Sequence, residues 1–232
     1  MTALRFGLVA LGLAVCVAPS TGFAAGLEGL GLAPYVEYNV GLTLMRNQNL
    51  TRANPPGLSG RVEAEPGFNV GGAVGTRFLE HFRTEINVGY RQNEVEAIRL
   101  ARGDESDGKG TISMIHVLAN AYAEYDFEVG VIPYFGLGVG YGGIEIDAHN
   151  KPETLQIDSD DDAFIWNVMA GVSVPFSDVT TFSFGYRYLA SEDLNFRARI
   201  DTTPPSPGGP DGRQVDSEYD AHELVLGIRF SF

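Results

Sequence analysis

A lone cysteine, Cys16, excludes any disulfide framework within the chain, so an exported product of this sequence must be stabilised some other way. Basic residues are also scarce, 16 Lys+Arg against 30 Asp+Glu, for a formal net charge of −14. That balance argues against a nucleic-acid partner and against adsorption to anionic surfaces. Beyond the first two dozen residues no apolar run is long enough for a transmembrane helix. No segment carries an amphipathic helical period that could cover an apolar sheet.

At the start, Arg5 precedes the apolar run Phe6 to Ala18, and Pro19 to Gly22 lead into Phe23-Ala24-Ala25. This is the layout of a cleavable secretory signal spanning residues 1–24, with the cut placed after Ala24 and the remaining domain at residues 25–232. The run is too short to anchor the chain as a spanning helix. Cys16 sits inside the apolar core, with Val15 before it where a lipoprotein needs a small residue, so it leaves with the signal. Losing Arg5 takes the expected net charge to about −15.

The rest alternates with period two. Val36, Tyr38, Val40, Leu42 and Leu44 fall on one face of a first strand, with Glu37, Asn39, Gly41 and Thr43 on the other. Later strands follow suit: Val70, Val74 and Phe78; Phe82, Ile86, Val88 and Tyr90; Phe135, Leu137, Val139 and Tyr141; Phe164, Trp166, Val168, Val172 and Val174; Phe182, Phe184, Tyr186 and Tyr188. Only Thr111 to Phe127 is blurred, because Met114 and Leu118 share the parity of His116, Asn120 and Glu124. Ile115, Val117, Ala119, Ala121, Ala123 and Tyr125 are placed outward there. The final strand puts Leu224, Leu226, Ile228, Phe230 and Phe232 on one face and Glu223, Gly227, Arg229 and Ser231 on the other.

Connections alternate in length. Polar stretches at Arg46 to Pro66, Asn93 to Gly110, Asp147 to Asp162 and Ala190 to Asp220 read as long loops, and Leu79 to His81, Glu128 to Ile132 and Ser177 to Thr180 as short turns. Phe78, Phe82, Tyr125, Phe127, Phe135, Phe176, Phe182 and Phe232 gather at the short-turn end as an aromatic girdle would. Every strand carries an apolar face with no helix to cover it, and only a closed barrel satisfies strand hydrogen bonds inside lipid. The expected fold is all-β, a transmembrane antiparallel up-and-down β-barrel of about eight strands, with long loops outside the cell and both termini periplasmic. A soluble barrel of lipocalin type is the alternative, its apolar face pointing inward.

The ending Gly227, Phe230, Phe232 resembles the closing strand of bacterial outer-membrane barrels, departing from it at Val225 where a polar residue is usual. Pro133-Tyr134-Phe135-Gly136 through Gly140-Tyr141, Phe184-Gly185-Tyr186-Arg187-Tyr188 and Ala221-His222-Glu223-Leu224 through Phe230 resemble the opacity-protein-like, OmpA-type family of small outer-membrane barrels. The resemblance implies a Gram-negative outer-membrane location and a role as adhesin, surface antigen, envelope-stabilising protein or narrow pore. It also implies contact with outer-membrane lipid and lipopolysaccharide, and handling by the barrel assembly machinery through Gly227, Phe230 and Phe232. No peptidoglycan-binding domain is expected after the barrel.

The polar faces assemble Arg77, Arg83, Arg91, Arg187 and Arg229 against Glu37, Glu85, Glu124 and Glu223. Charges confined in a narrow lumen must pair, so this is expected to be a structural network, the alternative being a charge-lined channel. Gly138-Val139-Gly140-Tyr141-Gly142-Gly143 meets a dinucleotide-fingerprint spacing, but no helix follows and the glycines recur every second residue, making room for large inward side chains. Of the four histidines, His116 and His222 lie on strands, and neither has a serine two residues on, where lipid hydrolases of this kind carry one. No catalytic, cofactor or metal site is expected. Asp158, Asp160, Asp161 and Asp162 read as part of a solvated loop, with weak divalent-ion bridging to lipopolysaccharide phosphates as the alternative. The functional expectation is a structural or adhesive surface barrel acting through acidic loops on a host or surface ligand. A small pore and a lipid-modifying enzyme are the competing classes.

Overall fold

The computed structural model describes residues 32–45, 48–50, 60–100, 105–150, 155–191, 194–200, 213–217 and 219–232. The expected signal lies outside them. Among the described residues every regular element is a strand: β1 (Ala33–Met45), β2 (Gln48–Leu50), β3 (Gly60–Ala64), β4 (Gly67–Phe78), β5 (Phe82–Leu100), β6 (Glu105–Glu124), β7 (Ile132–Asn150), β8 (Leu155–Pro175), β9 (Thr180–Ser191), β10 (Leu194–Ile200), β11 (Arg213–Ser217) and β12 (Asp220–Ser231).

Eight of these close a ring in the order β1-β4-β5-β6-β7-β8-β9-β12, every neighbour antiparallel, with β12 returning to β1. Closure leaves no ladder edge, the condition for strands to cross a bilayer. Glu37 lies opposite Arg229 across the closing seam, and Leu42 opposite Leu224. Side chains alternate as the period-two pattern requires: Leu42, Ile86, Val117, Leu137, Phe184 and Leu226 are exposed outward, while Thr43, Asn87, Leu118, Asn167 and Ser183 are buried inward. The blurred β6 follows its expected orientation, with Ile115, Val117 and Tyr125 exposed and Met114, His116, Leu118, Asn120 and Glu124 buried.

The short-turn end carries an outward ring of aromatics, including Phe78 stacked on Phe82 and Phe176 edge-on to Phe182. A second ring lies toward the long-connection end: Phe68 with Tyr90, Tyr141 with Phe164, and Trp166 with Tyr188. On β5 the two rings are eight residues apart, from Phe82 to Tyr90, and from Trp166 on β8 to Phe176 just past its end they are ten apart. With a strand rise of about 3.4 Å and a tilt of about 40°, that is about 20–25 Å, the height of an apolar band.

Strand lengths break the barrel's symmetry. β1, β4, β9 and β12 have 12 or 13 residues, whereas β5 to β8 have 19 to 21. The long loops of the sequence reading are therefore corrected. Much of Asn93 to Gly110 and Asp147 to Asp162 is paired strand, β2 and β3 lie within Arg46 to Pro66, and β10 and β11 lie within Ala190 to Asp220. The reason is physical: past the second aromatic ring the exposed positions turn polar, as at Glu94, Glu145, Asp147 and Asp162, so hydrophobic alternation fades while the ladder continues. β3 pairs with β5 and β2, β10 with β8 and β11, and β11 comes against β2. This upper tier stands on the long strands at one end of the barrel.

Candidate functional site in the barrel interior

The interior of an eight-stranded barrel is just wide enough to be filled by side chains, so its chemistry is set by which residues alternate inward. At the short-turn end, β6 contributes Glu124, whose carboxylate receives three arginines. Arg83 Nε donates at 2.7 Å, Arg229 Nη1 at 3.2 Å and Arg77 Nη2 at 3.4 Å. Arg83 Nη1 also donates to Glu85 at 2.9 Å and to the Tyr35 hydroxyl at 3.0 Å, and lies 3.7 Å from Glu37. Tyr35, Tyr122 and Asn120 all donate to Glu85, at 2.8, 2.7 and 3.1 Å. The Arg83 guanidinium lies over the Tyr122 ring, 3.5 Å from its centroid. Three arginines and three glutamates thus neutralise one another among tyrosines, as a desolvated cluster must. Arg77 stands at the rim, its side chain 37% exposed.

Glycines make this packing possible. A Cβ at Gly136 would run into the Tyr122 ring, one at Gly185 into the Tyr134 hydroxyl, and one at Gly138 into Asn120, which is the steric role expected of the alternating glycines.

Higher in the lumen is a second, smaller polar layer. Glu223 lies between Arg91, 3.4 Å from one carboxylate oxygen, and Arg187, 3.3 Å from the other. Thr43 donates to Glu223 and accepts from Asn69. Arg91 Nη2 bonds to His116 Nδ1 at 3.3 Å, and because a guanidinium only donates, that nitrogen accepts. The proton is then on Nε2, which donates to Asn87 at 3.2 Å, so His116 is neutral in this arrangement.

Above these charges the interior turns apolar, so the Arg/Glu network expected from the polar faces occupies only part of it. Val95, Ile112, Met114, Leu118, Ile144, Ile165, Leu189, Tyr219 and Ala221 form one buried cluster. Register fixes its height. Arg187 faces Glu223 across the β9–β12 pair, and Leu189 faces Ala221 two residues farther from the short turns. Arg91 is opposite Met114, which is opposite Ile144. The sequence carried a signal for this cluster: Met114, Leu118, Ile144, Ile165 and Leu189 all sit at the inward parity, and the blurred alternation of β6 was its clearest trace.

All nine charged residues anticipated for the lumen do point inward, in these two groups. Gly227 is buried beside Ser183 and Glu37 at the seam, Phe230 and Phe232 face outward, and the Phe232 amide donates to the Pro34 carbonyl at 3.0 Å. The acidic run is corrected from loop to strand. Asp158 and Asp160 of β8 stand opposite Asp147 and Glu145 of β7. The three histidines with described side chains have structural neighbours: His116 as above, His222 with Tyr186 on the outer face, and His81 stacked on Tyr125. His149, expected in an outer loop, lies instead at the end of β7.

A family profile described as "Outer membrane protein beta-barrel domain" matches residues 7–232. The chain is 26% identical over 195 residues to an uncharacterized protein of Brucella abortus (strain 2308), covering 72% of this chain and 69% of that one. Among solved structures it is similar to the outer membrane protein OprG from Pseudomonas aeruginosa, with TM-score 0.63, 15% identity, and coverage of 86% of this chain and 96% of that one. It is also similar to the outer membrane protease OmpT from Escherichia coli, with TM-score 0.53, 7% identity, and coverage of 86% and 97%. At these identities the structural likeness is one of fold alone.

Proposed function

The chain belongs to the outer membrane protein beta-barrel domain family, and from that premise we propose that it is a closed, non-enzymatic barrel of the Gram-negative outer membrane that works through its outer surface. The observation that carries this reading is the filled lumen: a neutral Arg/Glu/Tyr network at one end and a buried apolar cluster at the other leave the interior occupied by the protein's own side chains. What the barrel offers to other molecules is then its exterior. The long strands β5 to β8 hold an upper tier in which Glu145 and Asp147 of β7 and Asp162 of β8 are exposed, suited to contact with a surface or host ligand.

In this reading residues 1–24 direct export, the barrel assembly machinery engages the strand ending in Gly227, Phe230 and Phe232, and lipid and lipopolysaccharide surround the wall. The short turns and both termini face the periplasm, and the upper tier faces outside. Protease added to intact cells should cut within residues 46–66 or 190–220 and spare Leu79 to His81. Cutting at those long connections only after permeabilisation would invert the barrel and remove the surface-contact function.

A further inference from the structure

The two charged layers differ in their arithmetic. Near the short turns three arginines meet three glutamates. In the upper layer Arg91 and Arg187 share one carboxylate, Glu223, and the neutral His116 adds no charge. Among the described side chains this layer therefore carries one positive charge in excess. Arg91 and Glu223 are 1% exposed and Arg187 5%, so water does not screen it from bulk.

The hydrogen bonding shows the same excess. Arg91 Nε and Arg187 Nε are buried without a hydrogen-bond acceptor, while Arg91 Nη1 has only its 3.4 Å contact with Glu223. The lower layer also has unpartnered atoms, but of both kinds: Glu37 Oε2 lies 3.7 Å from Arg229 Nε, so a small shift satisfies both. In the upper layer the unpartnered charged groups are arginine donors, and the unpartnered acceptor opposite Arg91, Asn69 Oδ1, is neutral and offsets no charge. A guanidinium cannot discharge itself by losing a proton, and an uncompensated buried charge is strongly unfavourable.

We infer that the Arg91–Glu223–Arg187 layer is a binding site for one singly charged anion, chloride or a small carboxylate, held by the free N–H groups of the two arginines. Bidentate-capable guanidinium groups suit a carboxylate. The apolar roof of Met114, Ile144 and Leu189 favours a monovalent ion over a phosphate or sulfate, because a second negative charge would be left without a partner there. The inference does not depend on whether the barrel conducts or contacts a surface ligand.

The test uses full-length barrel refolded in nonionic detergent, with chloride titrated against isethionate at constant ionic strength and the folding equilibrium followed by denaturant. A ligand that binds only the folded state at about a hundred times its Kd shifts that equilibrium about a hundredfold. Wild type should stabilise saturably with chloride, and formate should act likewise. A steeper response to octanoate than to formate would identify an amphiphile's carboxylate as the better ligand. R187Q, which leaves one arginine to one glutamate, should lose the anion dependence, and R77Q, at the neutral rim, should keep it. Should R187Q fail to fold, anomalous scattering from wild-type crystals exchanged into bromide reads the site directly, with a peak beside Arg91 and Arg187 expected. No anion dependence in wild type, an unchanged dependence in R187Q, or no bromide at the two arginines would overturn the proposal.

Discussion

The two halves of the interior solve the same filling problem with opposite chemistry. At the short-turn end the lumen holds an ion network: Glu124 binds three arginines, and Tyr35 and Tyr122 donate to Glu85. Farther along it is lined by the apolar Met114, Ile144, Ile165 and Leu189, with Leu118 packed beneath them. Outside, both halves present the same apolar wall. The difference teaches that the outward face of a membrane barrel is dictated by lipid, whereas the inward face is free to be either an ion network or an oily core, provided that it is filled and its charges balance.

Breaking the ion-closed half should cost most. Replacing Glu124 with Gln removes the shared acceptor of Arg77, Arg83 and Arg229 and leaves the layer with three arginines to two glutamates. The expected destabilisation is about 3–5 kcal/mol, read as a shift of the denaturant midpoint of the refolded barrel in micelles. The apolar half should respond to volume instead. Leu118→Ala opens a cavity in a fully buried cluster and should cost about 2–5 kcal/mol, while Leu118→Met should cost less than about 1.5 kcal/mol. Equal sensitivity of both halves to a loss of charge alone would erase the distinction between them.

The outward half of this architecture was legible in the sequence because lipid imposes one rule on every outward position: Leu224, Leu226, Phe184, Val139 and their counterparts are apolar and alternate without interruption. The nine lumen charges were legible for the complementary reason, since a charge on such a strand has only one tolerable direction. What escaped was set by distance rather than pattern. That Glu124 collects three arginines from β4, β5 and β12 depends on which strands close the ring and at what register. The apolar cluster hid because Leu118 or Ile165 at an inward position looks like noise in an alternation, not like a core. The upper tier hid because strands above the membrane lose the lipid-facing face that makes them recognisable, so Asp158 to Asp162 read as loop although they pair with β7.

A smaller effect is expected at the short-turn end itself. Leu79 and Glu80 both adopt left-handed backbone, with φ of 51° and 59°, in the tight β4–β5 connection. Asn and Gly adopt left-handed backbone at less cost than Leu or Glu. Leu79→Asn with Glu80→Gly should therefore stabilise the barrel by about 1 kcal/mol by the same denaturant measurement, without touching either lumen layer.

The central claim is that the lumen is closed by its own side chains, and conductance reads this most directly. Refolded wild-type barrel inserted into a planar bilayer should give no sustained single-channel currents, and E124Q and L118A together should open more conductance than either alone, because each unplugs only its own half. Open-porin currents from the wild type would contradict the account.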